Sequence, residues 1–104
     1  MARWTETHAD MVHMATIQKE FPIFGIVSVA LKNGSTIEGV IRRVNFGNNA
    51  GRGGWRYYGE YELETIEGNR WVIDILDIDS AHDVWQSRHT AYQAAGLITI
   101  LGGV

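Results

Sequence analysis

The chain has 104 residues, enough for one domain with a real core and too few for two. Hydrophobic residues make up 45% and proline occurs once, which argues against disorder, while the absence of cysteine excludes disulfides, thiolate metal sites and thiol nucleophiles together. The net charge of −3 is unevenly spread: Arg42, Arg43, Arg52 and Arg56 lie in Val40–Gly59 with no carboxylate, whereas Glu60–Asp83 carries eight carboxylates against Arg70 alone. A polyanion is therefore expected only at the first half, although each block also has the simpler reading of a solvated strand face.

At the N-terminus, MARWTETHAD lacks the apolar stretch of a secretory leader. The longest apolar run, Leu97–Leu101, is far short of the ~20 residues that span a bilayer. The expectation is a soluble cytoplasmic protein with no membrane contact. A helix is predicted over Glu6–Glu20, with Thr7 and Asp10 in a capping pattern and Met11, Met14, Ala15 and Ile17 forming a broken apolar stripe. It should stop at Phe21, because a residue before proline is pushed out of the helical region.

Two alternating apolar runs follow, Gly25–Lys32 and Ser35–Val44, joined at Asn33-Gly34, a pair that suits the positive φ angles of a two-residue hairpin turn. Gly39 in the second run has no side chain to pack and predicts a sharp bend or a close backbone approach. Asn45–Gly54, with four glycines and three asparagines, reads as the longest loop. Trp55–Thr65 is predicted as a third strand, placing Trp55, Tyr57, Gly59, Tyr61 and Leu63 on one face and Arg56, Tyr58 and the glutamates on the other. Glu67-Gly68-Asn69 supplies a turn, Trp71–Leu76 a fourth strand and Ile78–Val84 a short fifth.

Asp83–Ala95 has helical character, with Trp85, Arg88 or His89, Tyr92 and Ala95 on one face and Gly96 as the stop. The uncharged tail GLITILGGV is an aggregation hazard unless covered, either by its own barrel or by a neighbouring subunit.

The element order, and Val27-x-Val29-x-Leu31-Lys32-Asn33-Gly34 followed by Glu38-Gly39-Val40-Ile41, resemble the Sm/Lsm family, as a divergent member of bacterial or phage type. The resemblance spans roughly Phe21 to Val84 and is best at the first hairpin. It implies a mainly β domain: a small, strongly bent, five-stranded antiparallel barrel behind an N-terminal helix, here with a C-terminal extension. It also implies homo-oligomeric rings, through pairing of the fourth strand of one subunit with the fifth of the next, and single-stranded RNA, often uridine-rich, as ligand. The family's first RNA motif is matched loosely, by Asn45 or Asn48 as base reader and Phe46 as stacking residue. At the place of the second motif stands Leu76-Asp77, whose charge repels phosphate.

The residues themselves leave Asn48, Asn49, Arg52, Arg56 and Tyr58 as candidate contacts to single-stranded RNA or DNA, because arginines hold phosphates, rings stack on unpaired bases and asparagines read base edges. Trp55 and Tyr57 share the apolar face and are expected in the core. No cofactor, metal site or enzymatic activity is expected. His8 and His13 are five apart, not four as on a zinc-binding helix, Asp74, Asp77 and Asp79 lack EF-hand spacing, and no serine stands in a nucleophile-elbow context. The two readings that survive are an oligomeric Sm-like module binding nucleic acid in an atypical way and a non-catalytic structural or protein-interaction barrel.

Overall fold

The computed structural model describes residues 3–48 and 56–99. Helix α1 (His8–Glu20) begins where the capping pattern places it: the Thr7 side chain accepts from Asp10 N, and the Asp10 carboxylate accepts from Thr7 N. Its end is set by Phe21, whose backbone turns extended before Pro22 and whose ring stacks on Tyr61 with centroids 3.6 Å apart. Met14, Ile17 and Phe21 thereby enter the core.

Five strands follow, β1 (Ile26–Leu31), β2 (Thr36–Asn48), β3 (Tyr57–Glu64), β4 (Arg70–Asp74) and β5 (Ile78–Asp83), all paired antiparallel in the order β4-β3-β2-β1-β5. A 3-10 turn (Ile75–Asp77), capped by Asp74, joins β4 to β5. β4 and β5 are not paired to each other, so among the described residues the sheet is open, and strand pairing does not close the expected bent barrel.

β2 changes partner midway. Thr36 to Val40 pair with β1, whereas Val40 to Asn48 pair with β3. Gly39 sits at the change, where a Cβ would come within 2.8 Å of the Glu64 carbonyl oxygen. The glycine is thus required by close backbone approach, as its place in the strand suggested.

The first hairpin differs from the expected two-residue turn. Gly34 N donates to Leu31 O, Leu31 N donates to Ser35 O, and among the described residues only glycines have positive φ, Gly34 at 92°. Asn33 therefore does not share a left-handed turn with Gly34: this is a three-residue loop closed by a glycine bulge. The Asn33 side chain instead accepts from Ser35 N, a local bond open to asparagine in ordinary turns. The β3–β4 hairpin repeats the device, with Gly68 N donating to Thr65 O and Thr65 N to Asn69 O.

The predicted loop over Asn45–Gly54 is also corrected. Asn45–Asn48 continue β2, because the glycines read as breakers act as seats for cross-strand rings: Gly47 lies opposite Tyr58 and Gly59 opposite Phe46. A Cβ on Gly47 would fall 2.4 Å from the Tyr58 ring, and one on Gly59 would fall 2.3 Å from Phe46. Such glycine–aromatic pairs recover packing that a bare glycine loses in a strand.

Val27, Val29, Tyr61, Leu63, Ile73, Ile75 and Ile78 join the helix residues in the main core. Burial of Tyr61 pushes its phenol up to about 12. On the far side of the sheet α2 (Trp85–Ala94) buries Tyr92 against Ile26 and Val40. Gly96 N donates to Gln93 O and Leu97 N to Tyr92 O, a Schellman stop at the predicted glycine. Leu97 and Ile98 then fold back onto this second cluster, covering the start of the apolar tail with the chain itself, while residues 100–104 lie outside the described residues. No described helix is long and apolar enough to cross a membrane.

Candidate nucleic-acid interface

Where β4 ends, the adjoining edge of β3 is taken over by the segment that precedes α1. Thr5 N donates to Tyr57 O, Tyr57 N donates to the Thr5 hydroxyl, and Thr5 is buried. Arg3 N donates to the Asp74 carboxylate, and the Arg3 guanidinium pairs with Asp77. This strap lays Trp4 edge-on to Tyr58, with ring centroids 5.0 Å apart and Trp4 40% exposed.

Beside these rings is a cleft of about 330 Å³ whose lining includes Arg3, Trp4, Lys32, Arg56 and Leu76. Glu6 and Asp10 also line it. Asp10 is turned to the helix start: the main-chain N–H of Glu6 first, then Thr7, holds its carboxyl below the ordinary value of 3.8. Asp77, the acid expected to repel phosphate, is met by Arg3 from the same chain. An aromatic pair with arginine and lysine around it can stack an unpaired base and hold its phosphate.

The structure divides the sequence candidates. Arg56 lines this cleft, whereas Tyr58 adjoins it only through its edge contact with Trp4. Asn48 lies opposite Tyr57 on a separate groove of about 440 Å³ against α1, lined also by Met11, Met14, Phe46 and Tyr57. Phe46 packs edge-on to Tyr61, and Tyr57 packs against the main core as expected. Asn49, Arg52 and Trp55 lie outside the described residues. Arg3, Trp4 and Lys32 were missed, although Arg3-Trp4 has the basic-aromatic pairing used to select the loop residues.

Two of the four arginines of the expected basic half, Arg42 and Arg43, face glutamates. β2 and β3 are neighbours, so Arg43 stands opposite Glu62 and the Arg42 guanidinium donates to Glu64 at 2.7 Å and to Leu97 O. Arg70 adds a bond to Glu62 at 2.7 Å. Arg42, Arg43 and Arg70 thus stand with Glu62 and Glu64 in one cross-strand ladder.

Two of the four histidines have structural partners: His13 Nε2 contacts Ile78 O at 2.6 Å, and His89 Nδ1 contacts Trp85 O at 2.8 Å with its ring stacked on Trp85. On the α2 side, Glu38 accepts from Arg88 Nε at 2.8 Å and from the Tyr92 hydroxyl at 2.9 Å. Burial, then this carboxylate, raises the Tyr92 phenol, while the bond to Glu38 raises Arg88. No cluster of metal-ligating side chains occurs among the described residues.

No protein-family model matches the chain, and no curated protein matches it significantly in sequence. A solved structure from Xanthomonas campestris, described as a novel variant of the Sm-like motif, superposes with a TM-score of 0.56 at 14% identity, covering 80% of this chain and 94% of the other. At that identity the likeness concerns the fold: five antiparallel strands behind an N-terminal helix, arranged as in an Sm-like variant.

Proposed function

We propose that this chain is a self-associating, non-catalytic module, a strongly bent Sm-like barrel in which the opening between β4 and β5 remains, that binds single-stranded RNA or DNA at the Trp4–Tyr58 cleft. The reading is supported above all by the strap, which lays an exposed indole against Tyr58 and at the lining of a cleft shared with Arg3, Lys32 and Arg56. Stacking on the rings would supply most of the affinity and the cations the salt dependence. The ligand would enter by a surface the strap creates, not by the two loop motifs of the Sm/Lsm resemblance. Anisotropy of labelled short oligonucleotides, titrated at several salt concentrations against the wild type and Trp4→Ala, tests it. Binding that weakens with salt and falls in the variant is expected, and no binding at low salt to any RNA or DNA oligomer overturns it.

A structural or protein-interaction module without nucleic-acid ligand is the second reading, favoured by the ladder in which Arg42 and Arg70 are already held by Glu64 and Glu62. Retained self-association with no oligonucleotide binding would decide for it.

A further inference from the structure

The two outer strands of the open sheet are treated differently by the rest of the chain. At β5, helix α1 occupies main-chain groups with side chains: His13 meets Ile78 O, and Glu20 accepts from Ala81 N at 2.8 Å. Covering an edge in this way discourages strand addition. At β4, no described residue pairs with the outer edge, and Trp71 and Val72 are 51% and 59% exposed.

The bond from Thr65 N to Asn69 O sets the phase of the β3–β4 ladder. By alternation, Trp71 and Ile73 turn their main-chain groups to β3, and Arg70, Val72 and Asp74 turn theirs outward. The strand reads Arg-Trp-Val-Ile-Asp, cationic at one end and anionic at the other. Laid antiparallel on a second copy about a two-fold axis at Val72, Arg70 faces Asp74, Val72 faces Val72, and Trp71 faces Ile73. Every outward-turned residue would then exchange main-chain bonds, Arg70 and Asp74 would stand opposite each other beside the groups they already hold, Glu62 and Arg3 N, and the exposed indole would gain an apolar cross-strand neighbour. A parallel arrangement would leave like charges side by side.

We infer that β4 is a self-complementary edge that pairs with β4 of a second copy in a two-fold dimer. The inference rests on the self-association reading above and names its surface. Such an interface is isologous and closes at two subunits. A strand this short gives an interface at the small end of the range, so dimerisation is concentration-dependent.

The chain lacks cysteine, so Val72→Cys introduces the sole thiol. Two directly opposed, hydrogen-bonded residues have Cα atoms about 5.5 Å apart and Cβ atoms wider than a relaxed disulfide takes, a gap that a short bis-maleimide spans. Sedimentation of the wild type over a concentration series is expected to reach twice the 11.7 kDa chain mass. The bis-maleimide should link Val72→Cys into dimers and leave Val12→Cys, an exposed position on α1, unlinked. Val72→Asp should halve the mass while leaving the melting of the monomer nearly unchanged. A wild type that stays monomeric throughout overturns the self-association reading together with this inference. An oligomer whose Val72→Cys form does not link, or whose Val72→Asp form keeps its mass, overturns the β4 pairing alone.

Discussion

The cross-strand ladder and the strap cleft are made of the same residue types and differ in what faces each cation. Arg42 and Arg70 lie on strands whose neighbour carries glutamates in register, and their guanidinium groups bond to Glu64 and Glu62. Lys32 and Arg56 stand at strand ends and line a cleft with Trp4, Glu6 and Asp10. A run of positive residues in a sequence is therefore not a positive surface. Register decides which charges meet across the sheet and which lie at a cleft lined also by an indole.

The largest expected effect comes from removing the condition for the ladder. Gly39→Ala sets a Cβ against the Glu64 carbonyl at the point where β2 exchanges β1 for β3. A loss of about 1–3 kcal/mol in urea unfolding is expected from such overpacking. An unchanged midpoint would mean that the two halves of β2 are not tightly coupled there.

Trp4→Ala and Arg42→Ala compare the two regions directly. The first should weaken oligonucleotide binding by about 1–3 kcal/mol, the range for one stacked base, and the second should leave it nearly unchanged. Equal losses in anisotropy titrations would erase the distinction between cleft and ladder.

A smaller effect is expected on salt dependence. Replacing Lys32 and Arg56 together by alanine should lower the slope of log affinity against log salt by roughly 1–2, about one for each phosphate that is no longer neutralised. Replacing Arg42 and Arg70 should not alter it.

The smallest effect concerns the start of α1, where Asp10 closes the cap that ends the strap. Because its carboxyl is held below 3.8, the stabilisation is present above the ordinary carboxylate range and is lost as pH falls through the depressed value. The melting temperature of Asp10→Asn should therefore lie slightly below that of the wild type at neutral pH and converge with it in strong acid. A constant gap at all pH values would show that the charge is not what matters.

Much of the element order could be read in advance because it depends on local patterns. Thr7 and Asp10 sit one helical turn apart and make their cap without help from the rest of the chain. The alternation from Tyr57 to Glu64 puts Tyr61 and Leu63 inside and the glutamates towards solvent, since one face of the sheet is covered by α1 and the core. Phe21 before Pro22 and Gly96 after Ala95 end the helices for reasons confined to a few residues.

What the pattern missed was non-local. The glycines at 47 and 59 looked like breakers because their partners, Tyr58 and Phe46, lie on another strand. Of the candidate site, Arg56 and Tyr58 could be chosen by residue type, but Trp4 reaches Tyr58 only after the chain before α1 has replaced β4 along the edge of β3.

The sequence by itself determined the cap that starts α1, the glycine that stops α2 and the inward face of β3, since each rests on steric limits and hydrogen bonds within a few residues or on a period of two. Tertiary structure alone decided which arginines are neutralised, which rings meet at the cleft and which edge of the sheet stays uncovered. Those depend on register and on the paths of α1 and its strap, which bring together groups more than fifty residues apart.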